Sequence, residues 1–74
     1  LKVNLQLSVE HNDVKEFYNA ILPDFDKKGR AEVSMNLKDN SINFIIDSQD
    51  LTSVRATINS IILKLRALDE LSKI

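Results

Sequence analysis

Residues 31–47 read AEVSMNLKDNSINFIID, and their alternation decides the fold. Ala31, Val33, Met35 and Leu37 alternate with Glu32, Ser34, Asn36 and Lys38. That is the period of a strand with one buried face. Beyond Asp39-Asn40, the apolar residues Ile42, Phe44 and Ile46 alternate with Asn43, Ile45 and Asp47. Asp and Asn accept the positive φ that a two-residue hairpin turn demands. The segment therefore predicts an antiparallel hairpin. Its outward residues are polar except Ile45, so one sheet face should be packed and the other wet.

Upstream, Leu1, Val3, Leu5, Leu7 and Val9 alternate with Lys2, Asn4, Gln6, Ser8 and Glu10, which predicts a further strand. Val14, Phe17, Tyr18, Ile21 and Leu22 then follow helical spacing. Asn12 or Asp13 can cap that helix, and Asp13 with Glu16 has capping-box spacing. Pro23 ends it at or before Leu22. Residues 24–30, DFDKKGR, read as a loop around the only glycine. Downstream, Asp50 is the expected cap of a final helix, with Ser48 as second choice. The predicted class is α+β: a three-stranded, mainly antiparallel sheet with two helices on one face, in the order β-α-β-β-α. Residues 1–74 form a single domain without repeats or linkers. The pattern leaves open whether the first strand pairs with the second or the third.

The final helix is apolar on two sides. At about 100° per residue, Leu51, Val54, Ile58, Ile61, Ile62, Leu65 and Leu68 fall in one sector, the expected core face. Roughly opposite lie Ala56, Ser60, Leu63, Ala67, Leu71 and Ile74, a helix-packing seam whose early members are small. Arg55, Asn59 and Arg66 occupy one flank, and Thr57 and Lys64 the other. A three-stranded sheet has no second layer to cover the seam. The expected cover is another protein chain, because a contiguous exposed apolar patch marks an interaction site.

Composition points the same way. A 74-residue chain buries only roughly 60% of its unfolded surface and gains from disulfides, metals or assembly. There is no Cys and one His, so assembly is the favoured remedy. The absence of Cys fits a reducing cytosol. No apolar run approaches the roughly 20 residues of a membrane span, and no secretory leader pattern opens the chain. Net charge is −1, which does not suit a nucleic-acid binder held by bulk positive charge. Catalysis has no visible seat: no Cys nucleophile, no Ser near a His–acid pairing, no His/Cys metal cluster. His11 at the strand end reads as a surface or turn residue, and Asp24 and Asp26 as solvated turn residues. The single Gly29 excludes a glycine-rich phosphate loop. It also excludes the Gly-x-x-Gly loop of a stand-alone KH-like RNA-binding module, the alternative reading of these elements. An acylphosphatase-like enzyme would need Arg30 and Asn36 in a glycine-supported anion loop, which the spacing does not supply. Lys27, Lys28 and Arg30 form the single basic cluster. Asp24 and Asp26 offset it, so a solvated loop is the plainer reading, with Phe25 tucked beneath.

The wording of the final helix carries a resemblance. Asp50-Leu51, Arg55-Ala56 and Asn59-Ser60, together with ILPD at residues 21–24 and the polar hairpin, resemble the small dimerising subunit of the KEOPS complex, archaeal type. This is also called the CTAG/LAGE family, and the likeness spans essentially the whole chain. The resemblance implies a non-catalytic, cytoplasmic subunit without cofactors. KEOPS makes threonylcarbamoyladenosine next to the anticodon of tRNA. By the same resemblance, the chain forms a homodimer, and each protomer docks the catalytic transferase subunit through its two helices. It would also help hold tRNA. Arg55, Asn59 and Ser60 stand at the motif positions. The expected partner-binding set is Arg55, Ala56, Asn59, Ser60, Leu63, Ala67 and Leu71, and the expected tRNA contacts are Lys27, Lys28, Arg30 and Arg66.

Overall fold

The structure, a computed structural model, describes residues 1–25 and 31–73. It runs β1 (Val3–Glu10), α1 (Val14–Ile21), a 3-10 turn (Leu22–Phe25), β2 (Glu32–Lys38), β3 (Ser41–Ser48) and α2 (Leu51–Ser72). The α+β class and the β-α-β-β-α order are those the sequence predicts. One element is added: α1 does not run straight into a loop but tightens into the 3-10 turn that holds Pro23. Proline can start such a turn because it gives up only a donor that the turn does not use.

The sheet order is β1-β3-β2, so β3 is central and antiparallel to both neighbours. This settles the place of β1, which pairs with β3 from Val3↔Ser48 to Glu10↔Ser41. The centre goes to the strand that is apolar enough to be covered. Ile42, Phe44 and Ile46 are all buried, and even the outward Ile45 is only partly exposed. At the hairpin, Ser41 Oγ donates to the Lys38 carbonyl at 3.0 Å. Of the two turn residues only Asp39 takes positive φ (52°).

The core is a slab between the sheet and the helices. Val14, Phe17 and Ile21 of α1, the three β3 residues and Ile61 of α2 form one buried cluster. Leu7, Val9, Val33, Met35, Ile58, Leu65 and Leu68 pack around it. Full burial of side chains this size contributes about 1.5–3 kcal/mol each. The opposite sheet face is lined by Gln6, Ser8, Ser34 and Asn36, all exposed.

Two expectations about helices need correction. Asp13 stands at the N-terminus of α1, but its side chain makes no capping hydrogen bond, so the Asp13–Glu16 capping box does not form. Its backbone N–H donates instead to His11 Nδ1 at 2.9 Å. Leu51 and Ile62, expected on the core face of α2, are 60% and 51% exposed. The buried stripe is narrower than the apolar sector because the helix rests mainly on the single strand β3.

Candidate docking surface

Helix α2 is the longest element, and its start is built with care. Asp50 is the N-cap, as expected: its carboxylate accepts from the Thr52 N–H at 2.9 Å and from Ser53 Oγ at 3.0 Å. Ser48 Oγ accepts from the Asp50 N–H at 3.0 Å and donates to the Asp50 carbonyl at 3.2 Å, fixing the strand-to-helix corner. From that corner the helix runs 22 residues, about 33 Å, nearly the long axis of a molecule 41 × 21 × 17 Å in extent. A helix so anchored is a rigid rail for the side chains on its outer face.

On that face the structure brings the predicted seam together. Leu63 and Leu71 are each 64% exposed. Ala56 and Ala67 are exposed on the same helix, and Ser60 lies partly buried among them. Arg55 and Asn59 are exposed alongside. Small residues next to exposed leucines give a low surface with projecting apolar knobs, suited to another helix. Ile74, the last seam residue, lies outside the described residues. So do Lys27, Lys28 and Arg30, three of the four expected tRNA contacts. The fourth, Arg66, is exposed, and its Nε lies 3.4 Å from Glu70 Oε1, an ordinary i,i+4 pair.

A scan against protein families finds a match over residues 2–71 to the family described as transcription factor Pcc1. The chain belongs to the Pcc1 family. No curated protein matches it. The Pcc1 proteins are a subunit family of KEOPS/EKC, so the resemblance carried by Asp50-Leu51, Arg55-Ala56 and Asn59-Ser60 holds at the level of the family. A KEOPS-associated subunit role follows from membership.

Sequence reasoning gave His11 of this Pcc1-family chain too small a part. Its ring stacks on Phe17 with centroids 4.3 Å apart and planes 25° apart. Nδ1 accepts from the Asp13 N–H, so the neutral ring carries its proton on Nε2. Nε2 in turn faces Asp69 Oδ1 at 3.4 Å, and Lys73 Nζ holds the other Asp69 oxygen at 3.3 Å. One imidazole therefore ties the end of β1, the start of α1 and the last turns of α2. The only sequence signal was a ring placed between a strand and an aromatic-bearing helix.

Elsewhere the surface is less specific. An open groove of about 640 Å³ lies where Lys2 and Asn4 of the β1 end meet Glu32, Asp47, Gln49 and Asp50. Asn4 Nδ2 donates to Asp47 Oδ1 within it. Among the described residues, no group of three His, Cys, Asp or Glu side chains is placed to hold a metal ion. No described helix is long and apolar enough to cross a membrane.

Proposed function

We propose that this chain is the non-catalytic, self-associating subunit of a cytoplasmic KEOPS complex. It docks the catalytic transferase through the outer face of its helices and assists tRNA binding during formation of threonylcarbamoyladenosine. The observation that carries the reading is the second apolar face of α2, where Leu63 and Leu71 stand exposed beside Ala56 and Ala67. Its own sheet uses the opposite side of the helix, through Val54 and Ile61. A solvated helix has no need of projecting leucines, whereas a helix groove on a partner does. Arg55 and Asn59 border the face and supply its polar rim, and Ser60 lies within it. Lys27, Lys28, Arg30 and Arg66 are the cations proposed to touch tRNA phosphates, which position an RNA without reading its sequence.

The test is Leu63→Glu. The side chain is exposed, so the variant keeps the circular dichroism spectrum and melting behaviour of the parent. Its affinity for the transferase subunit, measured by calorimetric titration, falls at least a hundredfold, as expected for a charge forced into a desolvated hot spot. Binding within threefold of the parent would overturn this face as the docking surface.

A further inference from the structure

The corner where β1 hands over to α1 holds His11, and both nitrogens of its ring are in use. Nδ1 accepts the Asp13 N–H at 2.9 Å, on the α1 side. Nε2 faces Asp69 Oδ1 at 3.4 Å, on the α2 side. Imidazole changes charge near neutrality, and the two contacts answer oppositely to the added proton. A protonated Nδ1 is a donor, and it cannot bond to the Asp13 N–H, which is also a donor. Turning the ring over does not restore that bond, because both nitrogens of an imidazolium donate. The Asp69 contact gains instead. Its 3.4 Å is long for a hydrogen bond between charged groups, which closes to about 2.7–2.9 Å. The stack on Phe17 survives in both forms, since a cation also rests well on an aromatic face.

The surroundings set the direction of the change. The His11 backbone N–H donates to the Asn40 carbonyl at 3.0 Å, so the residue stays pinned to the hairpin turn whatever its ring does. The side chain is 24% exposed, and solvent protons reach it. The charged groups on the elements around it are Glu10 on β1, Asp13, Lys15 and Glu16 at the start of α1, Lys38 and Asp39 at the hairpin, and Asp69 and Lys73 on α2. The Arg66–Glu70 pair lies beyond them on α2. Asp13 stands at the N-terminus of α1, whose backbone N–H groups repel a cation. Asp69 stands in the last turns of α2, whose carbonyl end attracts one. Both helix ends therefore turn an imidazolium away from α1 and toward α2.

We infer that His11 is a proton-operated clasp between the two helices. The neutral ring holds the start of α1 through Nδ1. The protonated ring releases it and grips the end of α2 through Asp69. On the α1 side the release spreads inward, because the Glu16 and Phe17 N–H groups both donate to the Asp13 carbonyl at 3.1 Å. On the α2 side the tighter grip lies two residues from Leu71, which stands on the proposed docking face. Acid therefore loosens the first turn of α1 and steadies the Leu71 end of α2. The clasp stands on its own contacts, and only its consequence for docking rests on the proposed function.

His11 is the only histidine of the chain, so its ring resonances are unambiguous. Nitrogen-15 spectra of the isolated chain are followed as pH is lowered through the ring's own titration. The expected result is a scalar coupling across the Asp13 N–H to Nδ1 hydrogen bond that is present with the neutral ring and vanishes in step with its protonation. Over the same range the amides of residues 69–73, corrected for intrinsic exchange, become about threefold better protected. In Asp69→Asn the coupling still vanishes but those amides do not respond, and His11→Phe shows neither change. A coupling that persists through the titration, a neutral ring protonated on Nδ1, or α2 amides that ignore the titration in the parent would each overturn the clasp. With the transferase subunit, the parent gains affinity on acidification by about threefold relative to His11→Phe. An identical pH dependence for the two overturns the consequence for docking. Absence of binding by both at every pH would count against the proposed function and leave the clasp to be judged by the spectra.

Discussion

Phe44 shows most directly how one residue holds the fold. It sits midway along the central strand, is 0% exposed, and pairs with Leu7 on one side and Met35 on the other. Removing its ring leaves a cavity that the two edge strands cannot both collapse into. Phe44→Ala should therefore cost about 3–5 kcal/mol in urea unfolding. For a domain of this size that is a large part of the whole stability. His11 makes a different kind of contribution. His11→Ala loses the stack on Phe17 and leaves the Asp13 N–H without its acceptor, and it should cost about 1–2 kcal/mol. His11→Phe separates the two effects by keeping the ring and removing the nitrogen. A His11→Ala midpoint equal to the parent's would show that the junction adds nothing to stability. Alternation made the role of Phe44 plain in the sequence. That of His11 was hidden, because Asp69 lies on another element and only the folded chain brings the two together.

At the scale of elements, the sequence spoke clearly where local rules and tertiary structure agree. The hairpin, both helices and the Asp50 cap were all legible. Asp50→Ala should lower stability by about 1 kcal/mol, while Asp50→Asn, which keeps an acceptor, should cost much less. Equal losses for the two would mean that the charge, not the hydrogen bond, secures the helix start. The misreadings have physical causes too. The Asp13–Glu16 spacing is permissive for a capping box, but the nearby imidazole took the backbone donor first. Helical periodicity finds every apolar residue in a broad sector, yet it cannot say how wide a sheet lies beneath. Here the helix layer is narrower than the stripe, so Leu51 and Ile62 were assigned to the core and stand in solvent. The outer seam escaped this error because it lies opposite the sheet at any sheet width. The order of the strands was not legible either, since β1 and β2 have the same alternation and either could flank β3.

For the whole molecule, size is the governing fact. A slab of two helices on three strands covers one sheet face and leaves apolar surface on two further sides, the outer face of α2 and the β1 flank. With 74 residues and no cysteine, the chain has few internal means of stabilising itself further, and association supplies one. If the native state is a dimer and the unfolded state a monomer, mass action ties the melting point to protein concentration. Unfolding enthalpy scales as about 0.7 kcal/mol per residue, so two copies together absorb on the order of 100 kcal/mol. A hundredfold rise in concentration should then lift the thermal midpoint by roughly 10 °C. Leu63→Glu, on the face assigned to the transferase, should leave that slope intact. A midpoint independent of concentration over that range would mean that the protomer is stable by itself and that both apolar sides are reserved for other chains.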